Sequence, residues 1–235
     1  MALPVRQVMG TKHKTKLILA SGSPRRAKIL QSLGVDFEIV KSDAPEVAYP
    51  GDPERTVSEN AIAKGAAARA SLVSRLASCD SRHATCDTPI ASAPSPSPSS
   101  SPSPTPTPSP LPSPSPSPLP ILSADTIVWL DGKIYGKPRD LDEAREFLRG
   151  LSGRTHSVFT GVALDGDVRV VRSDVKFRAL SESDVEEYVM SVRPLDRAGA
   201  YDIDERGDLI VESYTGSYEN IMGLPVEPLK EWGIV

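Results

Sequence analysis

The alternation of apolar and polar residues predicts that the chain begins as strand, helix, strand. Residues 17–20 form an apolar run that is typical of a buried strand. A turn of small residues follows, and Ser23 and Pro24 then supply an N-cap and a first helical position. The predicted helix ends near Gly34, before a second strand at residues 35–40. This pattern indicates the α/β class, in which ligands bind at the carboxyl ends of the strands.

A long helix is predicted next, from Pro53 to about Leu76, and two apolar stripes compete for its buried face. One stripe contains Val57 and Lys64, whereas the other contains Ile62. If the first stripe faces the sheet, the ammonium of Lys64 points inward and needs an anion. The alternative is a lysine at the edge of the stripe whose head reaches water, and periodicity alone favours that alternative.

A second apolar run, residues 119–130, predicts a buried strand that is interrupted by Asp125 and Thr126. A carboxylate inside such a run is costly without a partner, so a functional role for Asp125 is favoured over a structural one. The Asp131-Gly132 pair predicts a hairpin that brings Lys137 back toward Asp125.

The rest of the chain alternates helices and strands without an internal repeat. The pattern predicts a helix from Leu141 to Leu151, strands at 158–164, 168–171 and 175–177, a helix capped near Ser181, a strand at 209–212 and a last helix to Trp232.

Residues 89–120 depart from this pattern because they consist almost entirely of Ser-Pro and Thr-Pro repeats. Such a composition lacks backbone donors and apolar groups, so it cannot build a core. We expect a disordered insertion in a surface loop, which a folded domain tolerates because loop-closure entropy grows slowly with length. An adaptor in which this tract is the working part is an alternative.

Composition narrows the function classes. The 235 residues carry a formal net charge of -4, which argues against a general nucleic-acid-binding protein. No stretch is long enough for a transmembrane helix, and no signal-peptide core is present, so we expect no membrane association and a cytoplasmic location. The basic N-terminal arm, residues 1–16, has no acidic residue and leaves organelle targeting open.

Metal-binding and nucleophilic side chains are scarce. Cys79 and Cys86 match neither zinc nor redox spacing, and the chain has only three histidines. The chemistry must therefore rest on carboxylates and cations. The candidates are Ser21, Ser23, Arg25, Arg26, Glu46, Lys64, Asp125 and Lys137. Such a set suits magnesium-assisted attack on a phosphate ester or anhydride, because Mg²⁺ takes oxygen ligands and cations stabilise phosphoryl charge.

Six motifs in order carry a resemblance to a known family. They are Ser-Gly-Ser-Pro-Arg-Arg (21–26), Ser-Ala-Asp-Thr-Ile-Val (123–128), Gly-Lys-Pro (136–138), Leu-Ser-Gly-Arg-Thr-His-Ser-Val-Phe-Thr-Gly (151–161), Asp-Arg-Ala-Gly-Ala-Tyr (196–201) and Gly-Ser-Tyr-Glu-Asn-Ile-Met-Gly-Leu-Pro (216–225). The sequence resembles the Maf family of nucleoside triphosphate pyrophosphatases, once called septum formation inhibitors, from Leu17 to about Trp232 apart from the insertion.

The resemblance implies a single catalytic domain over residues 17–235, interrupted by the insertion. It implies an elongated, curved mixed sheet flanked by helices, with a central cleft, and a homodimer. The implied activity is an acid-anhydride hydrolysis that converts a nucleoside triphosphate to the monophosphate and pyrophosphate, and one implied role is the removal of modified nucleotides. The implied cofactor is Mg²⁺, with Mn²⁺ or Co²⁺ as alternatives. A nucleotide-binding regulator of cell division without turnover is the alternative function.

The resemblance also implies residue roles. Asp125 matches the catalytic proton acceptor, and Glu46 matches a glutamate that helps hold the metal ion. The implied phosphate-binding residues are Ser21, Ser23, Arg26, Lys64 and Lys137. Arg25 and Thr126 match two residues of the base pocket in the dTTP/UTP branch, whose third residue is a glutamine. Asp204 stands at that third position and, when ionised, only accepts hydrogen bonds.

Overall fold

The structure is a computed structural model that describes residues 16–80 and 119–235, with only the backbone for residues 76–80. The predicted N-terminal arm lies outside the described residues except for Lys16, and the predicted Ser/Pro insertion does so except for residues 119–120. The side chains of Cys79 and Cys86 also lie outside them. The chain forms two compact units, and every residue of the core and the cleft discussed below belongs to the unit made of residues up to 68 and from 119 onward. The described part of the second unit, residues 69–80, is helical.

The described residues form a mixed sheet flanked by helices, which confirms the predicted α/β class. The strands are β1 (Lys16–Leu19), β2 (Asp36–Ile39), β3 (Ile121–Leu130), β4 (Lys133–Tyr135), β5 (Thr155–Leu164), β6 (Asp167–Phe177) and β7 (Val211–Thr215). The helices are α1 (Pro24–Ser32), α2 (Pro53–Asp80), α3 (Leu141–Leu151), α4 (Glu182–Val192), α5 (Gly207–Ile210), α6 (Tyr218–Ile221) and α7 (Glu227–Glu231).

Strand β3 is central, because strands on both sides pair with it. The order is β2-β1-β3-β5-β6-β7, with β4 paired to β3 on the β1 side, and β1 is parallel to both β2 and β3. On that side, β1 pairs only as far as Leu122, and β4 pairs only from Val128 onward. Within the described residues, positions 123–127 of β3 therefore have no strand partner on this edge.

The two faces of β3 contact different helices, as the period of two in a strand requires. The hydroxyl of Ser123 donates to the carbonyl of Ala61 on α2, and Ile127 packs against Val57 of the same helix. On the opposite face, Leu122 packs in a cluster that includes the buried residues of α1. Adjacent residues of β3 thus reach opposite sides of the sheet.

Helix α2 approaches the sheet closely because Gly161 on β5 has no side chain. A Cβ atom at this position would lie 2.4 Å from the carbonyl oxygen of Val57, which is closer than van der Waals contact allows. Gly161 pairs directly with Asp125 on β3. This glycine therefore lets α2 bring its side chains against the middle of β3.

Three predicted strands differ from the structure. The segments at 168–171 and 175–177 form one strand, β6, because residues 172–174 also pair with β5 although they are polar. The predicted strand at 209–212 begins as the helical turn α5, which follows Arg206 in a left-handed conformation, and β7 starts only at Val211.

No helix in the two described stretches has both the length and the apolar composition that a membrane span requires.

His156 is a residue of β5 whose titratable side chain is buried. Its ring lies edge-on to Phe177 and Tyr201, and its Nε2 atom is 2.9 Å from the hydroxyl of Tyr201. Burial lowers the pKa of His156 to about 4, because the charged imidazolium would lose its hydration. The folded chain therefore keeps this ring neutral below pH 6.5, where the unfolded chain binds a proton.

We therefore predict that the protein loses stability as the pH falls from 6.5 toward 4. Between pH 6.5 and 5, the contribution of His156 to the free energy of unfolding falls by about 2 kcal/mol. Urea unfolding at both pH values checks this, and the His156→Gln variant should show a smaller decrease than the wild type. Equal decreases in both proteins would contradict the assignment.

Candidate active site

A cleft of about 360 Å³ lies at the unpaired edge of β3. Nine of the ten predicted site residues line it, although five separate stretches of the chain supply them. They are Ser21, Ser23, Arg25, Arg26, Glu46, Lys64, Asp125, Thr126 and Lys137. The cleft also adjoins the carboxyl end of the parallel strand β1, which is where α/β sheets bind ligands.

Glu46 and Asp125 converge on one ammonium group. The Nζ atom of Lys64 is 2.5 Å from Oδ1 of Asp125 and 2.7 Å from Oε1 of Glu46. Asp125 is buried, whereas 60% of the side chain of Glu46 is exposed. The second oxygen of Asp125, Oδ2, accepts a hydrogen bond from the side-chain amide of Asn60 at 3.0 Å. Two carboxylates that are far apart in sequence therefore meet at one point of the cleft.

Lys64 reaches this point because the first of the two predicted stripes faces the sheet. Val57, Ala61 and Ala68 are fully buried, whereas 41% of Ile62 is exposed. The alternative of an edge lysine with its head in water is wrong, because only 15% of the Lys64 side chain is exposed. Periodicity could not decide this point, since a lysine in an apolar stripe becomes favourable only when a carboxylate lies opposite.

The turn between β1 and α1 lines the cleft with polar groups. Ser23 occupies the N-cap of α1 as predicted, but its side chain makes no capping hydrogen bond. Instead, the Oγ atom of Ser21 accepts hydrogen bonds from the backbone N–H of Ser23 at 3.2 Å and from Arg26 Nη1 at 3.1 Å. The first turn of α1 thus faces the cleft with an uncapped N-terminus, which favours anions.

Arg26 joins three elements of the cleft wall. Its Nε atom donates to the carbonyl of Gly223 at 2.8 Å, and its Nη2 atom donates to Oγ1 of Thr126 at 3.0 Å. Burial lowers the pKa of Arg26, but a guanidinium remains charged at neutral pH. This side chain therefore carries a positive charge whose neighbours are mostly neutral acceptors.

Of the predicted specificity residues, Arg25 lines the cleft and Asp204 does not. Arg25 donates to Oδ2 of the buried Asp202 at 3.2 Å, and Arg197 donates to the same oxygen at 2.9 Å. Asp204 is not among the described residues that line the cleft. Its carboxylate accepts hydrogen bonds from Lys28 at 2.9 Å and from the hydroxyl of Tyr218 at 3.3 Å. The hydrogen bond from Lys28 lowers the pKa of Asp204.

Lys137 lines the cleft, but its immediate partner is Asp196 rather than Asp125. The two side chains are 2.6 Å apart, and both are largely exposed. The hairpin prediction for residues 131–132 is confirmed, since β3 and β4 pair across that turn. The roles assigned to the individual site residues stay predictions.

Sequence reasoning did not single out the cleft residues Lys41, Asp196 and Asp202, or Asn60, which does not line the cleft but donates to Asp125. Lys41 lines the cleft, and its aliphatic stem passes Gly22, where an added Cβ atom would lie 3.5 Å from Lys41 Cε. It has no hydrogen bond or ion pair with another described residue. No motif marks it, because it follows β2 in an irregular segment whose path the pattern does not predict.

The chemistry of Glu46 and Asp125 bears on whether the cleft can hold a divalent cation. The described residues contain no group of three or more His, Cys, Asp or Glu side chains arranged to hold a metal ion. Glu46 and Asp125 supply hard oxygen donors that already contact one cation, the ammonium of Lys64. This set fits Mg²⁺, which is commonly held by one or two carboxylates while substrate phosphates and water complete its ligands.

Comparison with known proteins agrees with the motifs. A family model described as Maf-like protein matches residues 16–232. A protein from Chromobacterium violaceum named dTTP/UTP pyrophosphatase is 36% identical, with 91% of each chain covered. Proteins of the same name from Dictyoglomus thermophilum and Bacteroides thetaiotaomicron are 36% and 35% identical, covering 91% and 94% of this chain and 92% and 96% of their own length. The chain therefore belongs to the Maf family.

Proposed function

We propose that this protein is a nucleoside triphosphate pyrophosphatase that hydrolyses its substrate to the monophosphate and pyrophosphate. The observation that carries the proposal is the convergence of Glu46 and Asp125 on Lys64 inside a cleft lined by further cations. The printed names of the relatives, which share about a third of their residues with this chain, support the same activity.

The charge of the cleft supports a divalent cofactor. Among the described residues, five cations and five carboxylates line it, so that their formal charges cancel. The cations are Arg25, Arg26, Lys41, Lys64 and Lys137, and the carboxylates are Asp43, Glu46, Asp125, Asp196 and Asp202. A triphosphate brings about four negative charges, which a neutral cleft alone does not compensate. We propose that Glu46 and Asp125 hold Mg²⁺, or Mn²⁺ or Co²⁺ in its place.

The residues of the chain then have distinct tasks. When bound, the metal ion supplies positive charge to the phosphate oxygens and orients the attacking water. Asp125 accepts the proton of the water that attacks the α-phosphorus, and the bond to the oxygen that bridges the α- and β-phosphates breaks. Lys64 keeps the two carboxylates together and, with Arg26, Lys137 and the turn of Ser21 and Ser23, binds the phosphates.

In this proposal the preferred substrates are dTTP and UTP. The relatives carry these nucleotides in their names, and Arg25 and Thr126 of this chain both line the cleft. Asp204 departs from the glutamine of that branch, but its carboxylate is engaged by Lys28 and Tyr218. Its acceptor character is therefore not directed at a pyrimidine carbonyl.

A nucleotide-binding regulator without turnover is the weaker alternative. A protein that only binds a triphosphate does not need a buried carboxylate beside the phosphates, because that carboxylate repels an anion. The cytoplasmic location and the homodimer remain parts of the proposal that rest on the sequence.

Removing either carboxylate should nearly abolish turnover without unfolding the chain. We expect Asp125→Asn and Glu46→Gln to lower kcat by about 100- to 10,000-fold, because the proton acceptor or a metal ligand is lost. Pyrophosphate release with Mg²⁺ measures this, and Glu59→Gln, on α2 but outside the cleft, serves as the matched control. Full turnover by either carboxylate variant would refute the assigned role.

A nucleotide panel tests the choice of base. We expect kcat/KM for dTTP and UTP to exceed the values for ATP, GTP, CTP and 7-methyl-GTP by at least about 10-fold. Because Asp204 does not line the cleft, Asp204→Gln should leave this order unchanged. A different preferred base in the wild type, or a new order in the variant, would contradict the proposal.

Lys41 should contribute to triphosphate binding, because no described carboxylate neutralises its charge. We expect Lys41→Gln to raise KM about 10-fold with a change in kcat of less than about threefold, and added salt should reduce the difference. Lys176→Gln is the matched control, since Lys176 pairs with Glu212 outside the cleft. An unchanged KM in Lys41→Gln would show that this lysine does not contact the substrate.

A further inference from the structure

Asn60 is a buried polar residue that neither motif nor charge pointed to. It lies on α2 one helical turn before Lys64, and only 3% of it is exposed. Residues four apart on a helix share a face, so Asn60 and Lys64 both point toward β3. A side-chain amide in such a place is stable only if its donors and acceptor find partners.

The amide of Asn60 joins three separate parts of the chain. Its Oδ1 atom accepts the backbone N–H of Val47 at 2.9 Å, and its Nδ2 atom donates to the carbonyl of Val47 at 3.0 Å. The same Nδ2 atom donates to Oδ2 of Asp125 at 3.0 Å. The backbone N–H of Val47 fixes which end of the amide is the oxygen, so the amino group must face Val47 carbonyl and Asp125.

These contacts link both proposed catalytic carboxylates. Val47 follows Glu46 directly, and Asn60 pairs with both backbone groups of Val47, so the path of the chain at Glu46 depends on α2. The hydrogen bond to Asp125 fixes the rotation of its carboxylate and leaves Oδ1 for Lys64. One neutral side chain thereby sets where the two acidic groups stand relative to each other.

We propose that Asn60 is the positioning residue of this site, holding Glu46 and Asp125 in the arrangement that turnover requires; the inference rests on the proposed hydrolase function. Catalytic constellations lose rate steeply when their groups are displaced by about 1 Å. Residues that orient metal-binding or catalytic side chains through hydrogen bonds typically change activity by about 10- to 100-fold when they are removed.

The structure offers a matched control on the same helix. Thr56 lies four residues before Asn60 and is also buried. Its hydroxyl binds the loop of residues 40–52, which precedes α2 and contains Val47. Its Oγ1 atom accepts the backbone N–H of Tyr49 at 2.9 Å and donates to the carbonyl of Asp52 at 3.0 Å. Thr56 therefore tethers the loop as Asn60 does, but the structure gives it no hydrogen bond to Asp125.

The experiment compares Asn60→Ala, Asn60→Asp and Thr56→Val in the full chain. Asn60→Asp retains the size of the side chain and an acceptor for Val47 but removes the donor to Asp125 and adds a negative charge there. We expect both Asn60 variants to lower kcat by about 10- to 100-fold with KM changed less than about threefold, because the groups that act in the transition state are displaced. Thr56→Val should lower Tm but leave kcat within about twofold of the wild type.

Several outcomes would overturn the inference. If Thr56→Val lowers kcat as much as the Asn60 variants do, the loop tether alone accounts for the effect. If either folded Asn60 variant keeps the wild-type kcat, the bond to Asp125 has no positioning role; Asn60→Asp decides this when Asn60→Ala does not fold. A wild-type chain without turnover contradicts the proposed function itself, whereas an active wild type with equally active Asn60 variants contradicts this inference alone.

Discussion

The structure of the site depends on the burial of one carboxylate in the middle of a β-strand. An ionised aspartate in such a position is unfavourable unless a cation and hydrogen-bond donors replace the water that it has lost. Lys64 and Asn60, four residues apart on α2, supply the cation and the donor to Asp125. Both depend on the close approach of α2 to the sheet, which the absent side chain of Gly161 allows. Removing Lys64 would leave the buried carboxylate of Asp125 without its cation, which typically costs about 3–5 kcal/mol, so the site and the fold are coupled.

The second constraint is the interrupted pairing of β3. Because β1 ends opposite Leu122 and β4 begins opposite Val128, the edge between them is open to ligand. The period of two then sends Asp125 toward α2 and Thr126 toward Arg26 on the other face. A reacting group and a phosphate-binding guanidinium thus meet at one cleft, although they come from opposite sides of the sheet. The topology explains why the polar residues Asp125 and Thr126 lie side by side in the middle of a mostly apolar strand.

The sequence predicted the elements with strong local signals and missed features that depend on long-range packing. The strand, turn and helix around Ser23 and Pro24 were predictable, because caps and apolar runs are local. The continuity of β6 was not, since residues 172–174 are polar and only their pairing with β5 shows that they belong to the strand. Asn60 carried no signal, because its importance lies in bonds to residues 13 and 65 positions away. The direction of Lys64 likewise depends on Asp125, which is distant in sequence and pairs with it.

The most direct test of this account is the binding of Mn²⁺, measured by electron paramagnetic resonance with an α,β-methylene analogue of the nucleotide. The account predicts one ion per chain in the wild type, with affinity reduced at least about 10-fold in both Glu46→Gln and Asp125→Asn, because both carboxylates hold the same ion. Equal Mn²⁺ affinity in the wild type and either variant would contradict it.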